Sequence, residues 1–240
     1  MKIANNKKQL SILLVTTLSS FLTPFMGSAV NVALPAIAKE LSMTALSLSW
    51  VATSFILAAA IFLIPVGRLA DIYGRRRIFI YGALIFTVAS SFCIWSPSQF
   101  FLIAARAVQG IGGAMIFSTG TAMLILAYPP EERGKIIGIN TAAVYIGLTV
   151  GPFIGGLLTQ HLGWRYIFLF TVVLGVAIFY ITMNVIEKDT SVNEDEGFDI
   201  SGSLIYGIAL FSLMYGFSRL PSFHGGFLIG IGVVFLALFI

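Results

Sequence analysis

Arg106 is the residue with the most chemical consequence. It follows the run Phe100-Phe101-Leu102-Ile103-Ala104-Ala105, and an apolar, glycine-rich stretch comes after it. A guanidinium is ionised at any ordinary pH and offers five N–H donors. At a bilayer centre it costs roughly 2.5–3.5 kcal/mol by insertion scales, so such a residue normally faces a bundle interior or a water-filled cavity and marks a transport or relay path. A second reading rests on depth. If the helix starts near residue 100, Arg106 lies about 9 Å in at 1.5 Å per residue, within snorkelling reach of the interface. Gln109 and Gly110 follow one turn later and can share a polar cavity face with it.

The second chemical stretch is Gly67-Arg68-Leu69-Ala70-Asp71-Ile72-Tyr73-Gly74-Arg75-Arg76-Arg77. Five of its eleven residues are charged, in a chain that is 10% charged, and residues 46–66 and 78–105 on either side carry no charge. It reads as a tight loop between two membrane helices. Three successive arginines report which side of the membrane the loop occupies and can anchor to anionic headgroups. They do not account for Asp71. That carboxylate is placed to pair with a neighbouring arginine or to sit at a helix N-terminus, where the dipole favours an anion.

Other chemistries find no footing. The two histidines, His161 and His224, are not at metal-ligand spacing, and no nucleophile–base pair or nucleotide-phosphate loop is visible. No enzyme activity, metal or cofactor is expected. Basic residues sit in short connections rather than on one continuous face, which argues against nucleic acid. The single cysteine, Cys93, lies in an apolar run, so no intrachain disulfide can form.

The elements that hold these residues are membrane helices. The 240 residues are 58% hydrophobic, with a mean hydropathy of +0.97, and the apolar residues come in runs of about 20, the length that crosses a hydrocarbon core. Seven spans are predicted at 10–35, 46–66, 78–96, 100–127, 136–158, 165–185 and 200–220. An eighth begins near 226 and reaches Ile240 without a polar end, which reads as incomplete. Backbone amides unpaired in lipid cost several kcal/mol, so each span must be helical. All ten carboxylates fall outside the predicted spans.

Lysine and arginine set the topology. Lys2, Lys7, Lys8, Arg68, Arg75, Arg76, Arg77, Arg133, Lys135 and Lys188 fall on one side; Lys39, Arg165 and Arg219 fall on the other. The N-terminus and the Gly67–Arg77 loop are therefore expected to be cytoplasmic. The expected organisation is a six-helix block over residues 1–185, an acidic linker over 186–199 and extra helices over 200–240. Glycines cluster inside spans. Gly147, Gly151 and Gly155 recur at four-residue steps on one face of the fifth helix, with Gly156 beside them and Pro152 positioned to bend it. That face serves close packing, or motion between helices.

The residues now carry a resemblance. The loop with Gly67, Asp71, Gly74, Arg75 and Arg76 resembles the cytoplasmic signature between helices two and three of the major facilitator superfamily. Arg106-Ala107-Val108-Gln109-Gly110-Ile111-Gly112-Gly113-Ala114 is similar to its helix-four motif, and Gly147-Leu148-Thr149-Val150-Gly151-Pro152-Phe153-Ile154-Gly155-Gly156 to the helix-five motif of antiporters. Val30-Asn31-Val32-Ala33-Leu34-Pro35, Gly163-Trp164-Arg165-Tyr166-Ile167-Phe168 and Phe198-Asp199-Ile200-Ser201-Gly202 resemble the fourteen-helix drug:proton antiporter branch.

The resemblance implies an all-α polytopic bundle whose six-helix block is a 3+3 repeat. It implies a multi-pass carrier in the plasma membrane that exports drug-like small molecules in exchange for protons by alternating access. The carrier would be completed by C-terminal helices that this chain lacks. The alternative is a truncated or split half that does not transport alone. Gly67, Asp71, Gly74, Arg75 and Arg76 would form a cytoplasmic gate; Met26, Asn31, Arg106, Gln109 and Gly110 would line the substrate or coupling cavity. The sequence also departs from the pattern. Met26 stands where the branch commonly has an acid five positions before the asparagine, which removes a counter-charge for cationic drugs. Thr171 and Val173 replace the asparagine and proline of helix six.

Overall fold

The computed structural model describes residues 2–186 and 197–239, and within them it is entirely helical. The helices are α1 (Lys2–Glu40), α2 (Ala45–Tyr73), α3 (Arg75–Ile94), α4 (Gln99–Ala127), α5 (Pro130–His161), α6 (Arg165–Val185), α7 (Ile200–Ser218) and α8 (Phe223–Phe239). Seven are long and apolar enough to cross a membrane, and α8 is a shorter apolar helix. Residues 187–196 of the expected linker lie outside the described residues.

The ends are set by local chemistry. Thr44 caps α2 by accepting the Ser47 N–H at 3.2 Å, and Ser98 caps α4 by accepting the Phe101 N–H at 3.3 Å. Pro130 opens α5 where no N–H is needed, with Glu131 and Glu132 in the first turn against the positive end of the dipole.

The helices overrun the predicted spans, because apolar runs mark hydrocarbon while a helix continues into the headgroup region. This corrects the reading of Gly67–Arg77 as a loop. Gly67 through Tyr73 are the last two turns of α2, and Arg75 already belongs to α3. Gly74 alone separates them, at φ 98°, a region that a side chain makes costly. Its N–H still closes α2 on the Ala70 carbonyl at 3.0 Å, and its own carbonyl accepts from Ile78 at 3.2 Å. Glu40, Asp71, Glu131 and Glu132 are likewise in helices, at their ends, and not in loops.

Packing follows the expected repeat. Exchanging α1–α3 with α4–α6 turns the α1–α5 contact into α4–α2 and maps α3–α6 onto itself; all three are major contacts. Both cross pairs are parallel and close at glycine. A Cβ on Gly147 would strike the Phe21 carbonyl, and one on Gly155 would meet Ala29 Cα at 2.8 Å. In the mirror contact, a Cβ on Gly110 would strike the Phe55 carbonyl. Association inside a membrane rests on such close packing rather than on hydrophobicity. Phe25, Phe79, Phe86 and Phe168 fill the core around these seams. Helices α7 and α8 form a pair that docks on α2, where the Trp50 and Tyr215 rings pack tilted, 5.7 Å between centroids.

Candidate functional site

Arg106 is sealed. Its side chain is 1% exposed, so the snorkelling reading is overturned: the guanidinium turns sideways into α2 instead of running along the helix to the surface. Its Nε–H donates to the Val51 carbonyl of α2 at 3.0 Å. Its Nη1–H donates to Gln109 Oε1, and its Cζ lies 4.4 Å from the Phe55 ring centroid, a cation–π contact. Gln109, fully buried, donates from Nε2 to Ser90 Oγ of α3 at 2.7 Å. Ser90 in turn donates to the Phe86 carbonyl at 2.6 Å. No carboxylate pairs with Arg106 among the described residues. A buried charge is thus held by neutral acceptors and an aromatic face, tying α2, α3 and α4 together.

Of the expected cavity residues, Arg106, Gln109 and Gly110 are brought together, but inside a closed contact and not on an open wall. Met26 is fully buried, its sulfur 3.1 Å from the Thr171 hydroxyl of α6, which also reaches the Ile167 carbonyl at 2.9 Å. In this conformation the position that would face a cavity is therefore shut by α6. Asn31 stands apart, exposed on α1. Ser90, Phe55 and the Val51 carbonyl were not legible as partners. Ser90 looks like any small residue in a membrane helix, and 19 residues separate it from Gln109.

At the α2–α3 junction the two alternatives for Asp71 resolve. It is in the last turn of α2 and pairs across Gly74 with Arg75, whose Nη2 and Nε reach the same oxygen at 2.8 and 3.1 Å. Both partners are substantially exposed. Arg76 points elsewhere, donating to the Ile186 carbonyl and, at 3.0 Å, to the Met183 carbonyl, at the C-terminal end of α6. Gly67 is not a close-packed position: a Cβ there meets nothing within 4 Å.

The helix-five glycines divide. Gly147, Gly151 and Gly155 face α1, where Ser28 donates to the Gly147 carbonyl at 3.3 Å and a Cβ on Gly151 would strike Ser28 Oγ. Pro152 is exposed on the other side of the helix. Gly156 is looser, its nearest neighbour being Val32 Cγ1 at 3.7 Å.

A further cluster sits at the opposite end of the bundle. Glu40 ion-pairs with Arg165 and accepts from Trp164 Nε1 at 2.7 Å. Arg165 Nε donates to the Ile94 carbonyl at 3.0 Å, and its guanidinium stacks 4.2 Å from the Trp164 ring. A lone carboxylate, Glu40, on the same predicted side as Arg165 was the available signal.

Comparison with known proteins adds the following. The family model described as Major Facilitator Superfamily matches residues 16–240. The chain is 38% identical over 212 residues to the Multidrug resistance protein Stp of Mycobacterium tuberculosis (strain CDC 1551 / Oshkosh), covering 88% of this chain and 39% of that protein. It is 31% identical over 200 residues to the Riboflavin transporter RibZ of Clostridioides difficile (strain 630), covering 83% and 44%. It is 30% identical over 200 residues to the Tetracenomycin C resistance and export protein of Streptomyces glaucescens, covering 83% and 37%. The chain thus spans less than half the length of these relatives. The crystal structure of the POT family transporter PepTSo shares the fold, with a TM-score of 0.68 at 15% identity over 96% of this chain and 53% of that one.

Proposed function

The chain belongs to the Major Facilitator Superfamily, and from that membership we propose that it is the N-terminal part of a plasma-membrane carrier that exports small molecules in exchange for protons. The fold is that of a transporter, and two of the relatives are named for drug resistance or export. In this reading the six helices α1–α6 rock against a second bundle supplied by helices beyond this chain, with the N-terminus in the cytoplasm and a substrate site near the midplane.

The observation that carries the reading is the Arg106 cluster. A buried cation without a counter-charge is costly in a membrane, and ionisable residues kept there at that cost mark transport and relay paths. The described spans hold no carboxylate at mid-depth, so proton coupling needs an acidic partner outside them, with Arg106 as the group it acts on. Met26 leaves α1 without a negative charge for cationic compounds.

The test is dye efflux from vesicles holding the full-length protein under an imposed pH gradient. Efflux that follows the gradient is expected. Movement of dye that ignores the gradient removes the antiport mechanism, and no movement across a panel of dyes removes the export function.

The second reading, a half that needs a partner, is favoured by the coverage of 39% of Stp. Expressing residues 1–240 alone in the same vesicles decides it, since a self-sufficient carrier would move dye without any other chain.

A further inference from the structure

We propose that Ser90 is the positioning residue of the Arg106 site, acting through Gln109. This deepens the reading of Arg106 as the functional centre and rests on it.

Gln109 has two ends that differ only in chemistry: an oxygen that accepts and an NH2 that donates. Arg106 only donates, so Gln109 must turn its oxygen to Arg106, and this leaves the NH2 in need of an acceptor inside a sealed contact. Ser90 supplies it. The Ser90 hydroxyl hydrogen is directed to the Phe86 carbonyl at 2.6 Å, so its oxygen is left to accept from Gln109 Nε2 at 2.7 Å. The chain of donors runs in one sense, from Arg106 and Gln109 toward α3. Without the Ser90 oxygen the amide NH2 is left unsatisfied inside the sealed contact, and Gln109 must swing toward another acceptor, which draws its oxygen off the guanidinium. The Arg106 hydrogen bond and with it the link from α4 to α3 would be lost.

The consequence is specific. A glutamate at 109 accepts from Arg106 and has no NH2 to satisfy, so it needs no acceptor from α3. Ser90→Ala should therefore be harmful with Gln109 present and harmless with Gln109→Glu. A mere packing defect at position 90 would not be repaired by a carboxylate at 109.

Cys93 provides a readout that does not depend on transport. Phe86, Ser90 and Cys93 share one face of α3, Gly112 of α4 packs against the Phe86 backbone, and Cys93 is fully buried. Its alkylation by N-ethylmaleimide reports opening of the α3–α4 contact. The experiment uses the full-length protein in membranes, with any cysteines beyond residue 240 replaced. Ser90→Ala should alkylate about tenfold faster than the parent, the factor for one hydrogen bond in a charged network. Ser90→Thr and Ser90→Ala/Gln109→Glu should return to within about twofold. An unchanged rate in Ser90→Ala, or a failure of Gln109→Glu to restore it, overturns the proposal. If Ser90→Ala does not insert, the double variant must insert and match Gln109→Glu alone, and its failure overturns the proposal equally. Saturating dye efflux should fall in Ser90→Ala with little change in the half-saturating concentration. The alkylation pattern without any efflux would sink the export reading and leave the role of Ser90 standing. Efflux without the pattern would do the reverse.

Discussion

Arg76 and Arg165 perform the same task at opposite ends of one helix pair. Arg76, at the start of α3, donates to carbonyls at the C-terminal end of α6, and Arg165, at the start of α6, donates to the Ile94 and Ser96 carbonyls at the end of α3. Helix C-termini leave carbonyls without partners and carry partial negative charge, so a cation there satisfies both needs. The arrangement is reciprocal, as an exchange of the two three-helix halves requires.

This clasp should be measurable. Arg165→Ala or Arg76→Ala is expected to cost about 1–2 kcal/mol each, reduced from the buried value because the side chains are partly exposed. Arg→Lys should recover only part, since an ammonium lacks the fork. Thermal unfolding of the full-length protein in detergent reads the effect, and an unchanged midpoint in both alanine variants would remove the clasp from the list of stabilising contacts.

Asp71 separates stability from gating. Its pair with Arg75 is exposed, so Asp71→Asn should change stability by less than about 1 kcal/mol. Transport by the full-length carrier is nevertheless expected to fall severalfold, with membrane insertion intact. Normal efflux in Asp71→Asn would end the view of this pair as part of a cytoplasmic gate.

Gly155 and Gly156 are neighbours with opposite tolerance. Gly155→Ala places a methyl 2.8 Å from Ala29 and should cost about 1–3 kcal/mol through overpacking. Gly156→Ala has room and should be neutral or slightly stabilising, as alanine favours helix by about 1 kcal/mol. Equal behaviour in a thermal-shift comparison would contradict the α1–α5 seam.

Asp199 makes the start of α7 sensitive to acid. The Gly202 N–H, at 2.8 Å, and then the Ser201 hydroxyl hold its carboxyl below its ordinary value. A carboxyl lowered in the folded state stabilises above its unfolded value, about 3.9, and loses that contribution as pH falls through the folded value. Hydrogen exchange at the Gly202 and Ser203 amides should therefore separate wild type from Asp199→Ala near pH 5, and the gap should narrow as pH falls below about 3.9. The absence of any gap near pH 5, where the carboxylate is ionised, would show that it is not the cap.

Much of this was legible in the chain because the underlying signals are local. Apolar runs of helix-spanning length located every helix, and the four-residue steps of Gly147, Gly151 and Gly155 named the face that meets α1. The errors arose where rotation about an axis matters. The distance of Arg106 from the start of its run measured depth, not azimuth, so snorkelling stayed open beside burial until α2 was seen beside it. Ser90 was invisible for the same reason: only the placement of α3 against α4 turns its oxygen to Gln109. Met26 was assigned to a cavity by position in a motif, and its burial beside Thr171 could not be read from that position. The island of charge at Gly67–Arg77 looked like a loop because charge reports the edge of the hydrocarbon, whereas the helix ends where Gly74 breaks it.

The shortness of that break has a mechanical consequence. A connector of one residue has no slack, so α2 and α3 cannot slide past each other along the membrane normal; the motion left to them is rotation about Gly74. The hydrogen bonds of the Arg106 cluster then add α4 to the same lever. Displacement of α2 is therefore passed on to both of the helices it is tied to, α3 through Gly74 and α4 through the Arg106 hydrogen bonds.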